Sequence, residues 1–159
     1  MKISYVIDNR LAGSSLPGRI SGNLTDDLQK LGGEHFTSVI SLYDQSKTAE
    51  LAFQAMNLKS RGLRHFSFEI PDFSVPSPQT VQSIIHTLDS ELAKADAKVL
   101  VHCGAGIGRT GMVLALYLKH HCRISGDEAI AQVREQYDKR AVETQDQEEL
   151  VRNSFFMEN

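Results

Sequence analysis

The sequence predicts an α/β fold: a central, mainly parallel sheet of about four to five strands flanked by helices. Three observations carry that expectation. Short apolar runs with strand character alternate with helical periodicities through the first part of the chain. The last part is helical, marked by two helix-opening signatures. Between them, an apolar strand-like run leads through a glycine-rich loop into the most apolar helical pattern.

Taken in order, Ser4 to Ile7 is the first strand candidate, and Leu24 to Leu31 a short helix closed by Gly32-Gly33. Ser38 to Leu42 is a second short apolar run. Leu63 to Ile70 alternates in part, with Phe66, Phe68 and Ile70 on one side. Gln79 to Ala95 sets Val81, Ile84, Ile85, Leu88 and Leu92 at helical spacing behind Ser77-Pro78, a cap followed by a first-turn proline. Lys98 to His102 is a further strand. Thr110 to His121 is almost wholly apolar, which predicts a helix buried on most sides. Ser125-Gly126-Asp127-Glu128 has the form of a capping box and opens a helix to about Tyr137. Thr144-Gln145-Asp146-Gln147 repeats that form before a last helix bearing Leu150, Val151 and Phe155.

The 159 residues suit a single domain spanning 1–159. A net charge of −3 argues against nucleic acid as the main partner. No stretch approaches the ~18 uninterrupted apolar residues of a membrane helix. The first residues lack the apolar middle of a signal peptide. A cytoplasmic monomer without nucleic-acid or membrane partners is therefore expected. The two cysteines, Cys103 and Cys122, are not needed as a staple at this chain length. Cys122 reads as a helix-end packing residue; Asp26-Asp27 and Glu148-Glu149 read as solvated faces. His120, His121 and Cys122, with His102 and Cys103, lack the ligand spacing of a zinc site. No metal or cofactor is expected.

The chemistry converges on Val99-Leu100-Val101-His102-Cys103-Gly104-Ala105-Gly106-Ile107-Gly108-Arg109-Thr110-Gly111. A buried strand ends, a loop with three glycines follows, and a helix begins near Arg109. Such a loop can curl so that successive N–H groups point inward and cradle an anion. The helix N-terminus adds unpaired donors and partial positive charge. Gly104, Ala105, Gly106, Ile107 and Gly108, with Arg109, thus form a candidate phosphate-binding loop. The field that holds a dianion also stabilises a thiolate, so Cys103 is expected to be ionised and ready to attack phosphorus. The Arg109 guanidinium can fold back and bind two phosphate oxygens at once. Thr110 is expected to set its hydroxyl near the sulfur, and His102 to order the loop from a partly buried position.

The run from His102-Cys103 to Arg109-Thr110-Gly111 resembles the His-Cys-x5-Arg-Thr-Gly signature of the cysteine-dependent protein tyrosine phosphatases. Residues 10–18 are similar to the opening segment of small atypical dual-specificity phosphatases and their archaeal and bacterial relatives. Ile70-Pro71-Asp72-Phe73 resembles that group's acid loop, and Glu143-Thr144-Gln145-Asp146-Gln147 its closing segment. The resemblance spans nearly the whole chain and implies a phosphotyrosine-phosphatase-like fold. Asp72, between Pro71 and Pro76 on a segment able to close over the site, becomes the general acid of a two-step reaction through a phosphocysteine. Gln147, or alternatively Gln145, becomes the candidate to position the attacking water. Glu143 departs from the pattern, because classical tyrosine phosphatases usually carry glutamine there.

These roles compete with plainer ones. Asp72 could cap a turn, and Gln147 could serve only its capping box. The whole domain could bind phosphate esters without turning them over, or transfer sulfur as rhodanese-type enzymes do. Phosphoinositide or RNA 5′-phosphate substrates fit less well, because the loop from Gly104 to Gly108 carries no cation. A phosphorylated protein is the expected partner, with phosphotyrosine first and phosphoserine or phosphothreonine admitted if the pocket is shallow.

Overall fold

The computed structural model describes residues 1–43 and 57–156. Its strands are β1 (Ser4–Ile7), β2 (Leu11–Ser14), β3 (Ser38–Ser41), β4 (Arg64–Ser67) and β5 (Val99–His102). Its helices are α1 (Leu24–Gly33), α2 (Pro78–Leu92), α3 (Gly108–Cys122), α4 (Gly126–Gln136) and α5 (Gln145–Asn153). The sheet has five strands in the order β1-β2-β5-β3-β4. β1 pairs antiparallel with β2, and the other pairings are parallel. The expected mixed, mainly parallel sheet is what forms.

Strand alternation divides the core in two. Ala12, Val39 and Leu100 face a cluster with Leu28 and Leu31 of α1, Phe36, Leu58 and Leu63. Their neighbours Leu11, Ile40, Val99 and Val101 face the larger cluster beneath the remaining helices. Every residue of α3 from Gly108 to Leu118 is buried, so the almost wholly apolar run expected over Thr110 to His121 is buried as far as Leu118, and the helix emerges from Lys119 onward. Ser77 caps α2 through the Thr80 amide, with Pro78 in the first turn. Both capping boxes form, Ser125 with Glu128 and Thr144 with Gln147.

Three expectations need correction. β2 is a strand that local pattern does not announce, because Leu-Ala-Gly-Ser offers no alternation of bulky residues. It lies between β1 and β5 and is buried along its whole length. A Cβ on Gly13 would come within 2.7 Å of the Tyr137 ring and 2.8 Å of the Thr110 methyl, so close packing dictates the small residue. Next, α1 continues through Gly32-Gly33. It stops where His35 adopts φ +62° and the Phe36 N–H donates to Leu31 O at 3.1 Å. This is a Schellman-type closure with histidine in the position that usually favours glycine. Finally, Cys122 ends α3 exposed rather than packed.

A fourth correction concerns Asp27, which is 3% exposed rather than solvated. Its carboxylate accepts the Gly18 N–H at 2.6 Å, the Ser21 hydroxyl at 2.8 Å and the Met1 amino group at 3.1 Å. Burial alone would raise this carboxyl, but the Gly18 amide, the Ser21 hydroxyl and the Met1 charge together hold it below its ordinary value. Asp27→Ala is expected to cost about 1–3 kcal/mol at neutral pH, the scale of a buried charged hydrogen-bond acceptor lost. A depressed carboxyl stabilises the fold above its unfolded value, and the contribution disappears as pH falls through the folded one. Denaturant unfolding at neutral and acidic pH should therefore show the wild-type advantage shrinking in acid; a gap independent of pH would contradict this account.

Register positions the site. Ser14, His102 and Ser41 are aligned across β2, β5 and β3. The chain leaving β5 thus emerges at the carboxyl edge of the parallel strands, where α/β sheets open a crevice for ligands.

Candidate active site

The loop between β5 and α3 is built by its neighbours as much as by its own residues. Gly106 has φ +78°, and a Cβ there would approach the Ser15 amide nitrogen to 2.5 Å. Only glycine fits both the turn and the contact. The Leu16 N–H donates to Gly104 O at 2.9 Å, tying the loop to the segment after β2. The Tyr137 hydroxyl donates to Gly106 O from the end of α4. Burial, with the nearby Cys103 and Asp138 charges, pushes the Tyr137 phenol well above its usual value, so it remains a donor.

Cys103 is 2% exposed, and the Gly106 N–H donates to its Sγ at 3.3 Å. Ile107, at the N-cap of α3, makes no side-chain cap hydrogen bond. The first-turn amides of α3 therefore have no side-chain acceptor there, the condition under which a helix N-terminus receives an anion. His102 is fully buried rather than partly, because it ends the central strand β5, and its Nδ1 lies 3.1 Å from Cys103 O. A carbonyl only accepts, so Nδ1 carries the proton. Burial first, then the charges of His65 and Arg109, push His102 down to about 4, offset in part by its bond to Cys103 O. It is thus a neutral donor fixing the loop. Its Nε2 and the Thr110 Oγ1 are buried without a hydrogen-bond partner among the described residues.

Arg109 joins the loop to the segment following β4. Its Nη1 donates to Ile70 O at 2.9 Å, and its Nη2 lies 3.2 Å from Asp72 Oδ1. The guanidinium is buried while the Asp72 carboxylate is 63% exposed, so the pair reaches from the loop to the rim. Asp72 Oδ1 also accepts the Phe73 N–H at 3.0 Å. Phe73 itself has φ +60° and stands exposed beside it.

Gln147 is fully buried, with its amide committed on both sides. Oε1 accepts the Glu143 N–H at 2.9 Å and the Thr144 N–H at 3.3 Å. Nε2 donates to Ser74 O at 3.3 Å, so Gln147 links the last helix to the segment bearing Asp72. A Cβ on Gly108 would lie 2.6 Å from Glu143 Oε2 and 3.2 Å from Gln147 Oε1. Both side chains thus flank the first turn of α3. Gln145 is exposed and donates to Glu149 at 3.1 Å, turned along its own helix.

The structure therefore brings Cys103, Arg109, Asp72 and Gln147 around one loop. Three further neighbours had no local signal in the sequence: Tyr137 beneath Gly106, Tyr43 with its ring 5.9 Å from the Arg109 guanidinium carbon, and Arg19 beside Gly104. Each reaches the loop from a distant part of the chain.

Comparison with known proteins places this arrangement. Residues 12–123 match a family model described as a polymorphic toxin system DSP-PTPase phosphatase. The dual-specificity protein phosphatase CDC14AB of Danio rerio is 34% identical over 82 residues, 52% of this chain and 13% of that protein. The chain thus spans a small part of the curated relatives it matches. Among solved structures, Tk-PTP in its active form superposes with a TM-score of 0.80 at 29% identity, covering 94% of this chain and 92% of that one. PTPMT1 in complex with PI(5)P shares the fold, with a TM-score of 0.78 at 22% identity over 92% of this chain and 90% of its own.

Proposed function

The chain belongs to the DSP-PTPase family and is a protein-tyrosine/dual-specificity phosphatase, and from that premise we propose that it hydrolyses phosphotyrosine in proteins through a phosphocysteine intermediate. The observation that carries the proposal is the Arg109 guanidinium, held by Ile70 O and Asp72 beside the loop that presents Cys103.

In the first step, Cys103 Sγ attacks phosphorus while the loop amides and Arg109 take the equatorial oxygens. The S–P bond forms and the bond to the leaving oxygen breaks, with Asp72 delivering a proton to that oxygen. In the second step, water attacks phosphorus, Asp72 takes its proton, and the S–P bond breaks to return the thiolate. The Thr110 hydroxyl, without a hydrogen-bond partner among the described residues, is the group we assign to the departing sulfur. Gln147 supports the reaction by holding the Asp72 segment, and its committed amide suits that role better than direct water positioning. Cys103 is 2% exposed, and an aryl phosphate, long and flat, is the ester we favour for reaching it.

The test is hydrolysis of an aryl phosphate by reduced protein in the presence of a chelator, followed by acid quench and mass analysis of the Cys103 peptide. Turnover with a phosphorylated Cys103 peptide is expected. Sulfur transfer from thiosulfate without phosphate release, or no turnover from folded protein, would overturn the proposal. Parallel assays with phosphotyrosine peptide, phosphoserine peptide and a phosphoinositide fix the substrate class, and preference for either of the last two would correct it.

A further inference from the structure

The residue that follows the nucleophile has two guanidinium groups on it. A Cβ on Gly104 would collide with the Arg19 guanidinium, and would lie 3.1 Å from the Tyr43 ring and 3.3 Å from Arg109 Nη2. Arg109 is buried, whereas Arg19 is exposed. Their use of ion pairs also differs. Arg64, Arg134, Arg140 and Arg152 each pair with a carboxylate, and Arg109 meets Asp72. Among the described residues, the Arg19 side chain has neither a hydrogen bond nor an ion pair.

The backbone beneath Arg19 is nevertheless firmly held. The Arg19 N–H donates to Leu16 O at 3.1 Å, and Leu16 in turn donates to Gly104 O at 2.9 Å. On the other side, the Gly18 N–H donates to buried Asp27, and Gly22 N–H to Gly18 O at 3.0 Å. Gly18 has φ +84°, with Leu24 Cβ packed 3.1 Å from where its own Cβ would be. A turn fixed at both ends thus holds beside Gly104 a cation with no ion pair among the described residues. Ordering such a side chain on a ligand costs less than recruiting one from a loose loop.

We infer that Arg19 is a specificity-determining residue that binds a second anionic group of the substrate, next to the scissile phosphate. The favoured substrate is a phosphopeptide with a carboxylate or a second phosphate beside the phosphorylated residue. Both groups present the oxygen pair that a guanidinium binds in a fork. In a chain of net charge −3, an arginine beside the loop with no ion pair among the described residues selects for charge at that place rather than supplying a general attraction for anions. The inference rests on the phosphatase reading and refines its substrate class.

The deciding quantity is a ratio: kcat/KM for a phosphotyrosine peptide with flanking aspartates over that for the same peptide with flanking asparagines. A doubly phosphorylated peptide serves as a third arm that separates carboxylate from phosphate as the second group. Arg19→Ala is expected to lower the ratio about tenfold, chiefly through KM, and Arg19→Glu to lower it further. Arg19→Lys keeps the charge without the fork and should fall between wild type and alanine. Rising salt should shrink the wild-type ratio, because the contact is exposed. A ratio that stays within twofold of wild type in Arg19→Ala, including an equal loss on all peptides, overturns the inference. The same peptides are titrated by binding against Cys103→Ser with and without Arg19→Ala. That arm decides the role of Arg19 even if wild type proves unable to turn over any phosphate ester, a result that would defeat the phosphatase reading instead.

Discussion

Cys103→Ser is expected to abolish hydrolysis of every phosphate ester the wild type accepts, by roughly 10⁶-fold, the scale on which loss of a catalytic nucleophile is felt. The substitution changes the reacting atom and little else. Cys103 is buried, and its Sγ receives only the Gly106 N–H at 3.3 Å, a bond that a serine hydroxyl can also accept. The rest of the anion site comes from groups the substitution does not touch: the loop amides, the first turn of α3 and Arg109. Phosphotyrosine peptide should therefore still bind, and equilibrium titration should give a Kd within about tenfold of the wild-type value for a non-hydrolysable analogue. A hydroxyl fails where a thiolate succeeds because it is not ionised near neutrality, and no base within the loop is placed to take its proton. Retained turnover in the serine variant would remove Cys103 from the mechanism. Loss of binding together with turnover would show that the sulfur holds the loop in shape.

What the sequence disclosed, and what it withheld, follows the range of the interactions. The loop from His102 to Gly111 was legible because its parts are contiguous: the proposed nucleophile Cys103, the glycine turns, the proposed clamp Arg109 and the helix start lie within one short run. Helix openings were legible for the same reason, since a capping box is written in four successive residues. β2 was not, because its four residues become a strand through their neighbours: β1 and β5 on either edge, with Tyr137, Thr110 and Leu114 pressed over Gly13. Asp27 was misread because a carboxylate in an amphipathic helix is ordinarily solvated; only the fold shows that Gly18, Ser21 and Met1 converge on it. Arg19 depends on that convergence in turn. Its place beside Gly104 is set by a turn whose anchor, Asp27, lies eight residues further along the chain. Of the site, the motif residues could be read in advance. The ties between Gln147 and Ser74, and between Tyr137 and Gly106, could not, since each joins segments distant in sequence.

Asp72→Asn is expected to slow hydrolysis by about 10²–10³-fold for a poor leaving group and by far less for a good one. Asp72 Oδ1 stands 3.2 Å from Arg109 Nη2, so without substrate the carboxylate and the clamp satisfy each other. A bound phosphate dianion takes over the guanidinium and adds negative charge beside the carboxyl. In the proposed first step the Asp72 carboxyl gives a proton to the leaving oxygen. Once that oxygen has departed, the ionised carboxylate is the form that takes a proton from water. Asparagine keeps the size and can still accept the Phe73 N–H, but it can neither donate an acidic proton nor remove one. A leaving group such as p-nitrophenolate is stable without protonation, whereas unsubstituted phenolate or an alkoxide is not. The ratio of kcat/KM for p-nitrophenyl phosphate over phenyl phosphate should therefore rise in Asp72→Asn by at least about tenfold. An equal loss on both esters would mean that Asp72 acts by positioning Arg109. No loss on either would place the proton donor elsewhere, and Glu143, whose carboxylate flanks Gly108, would be the next side chain to replace.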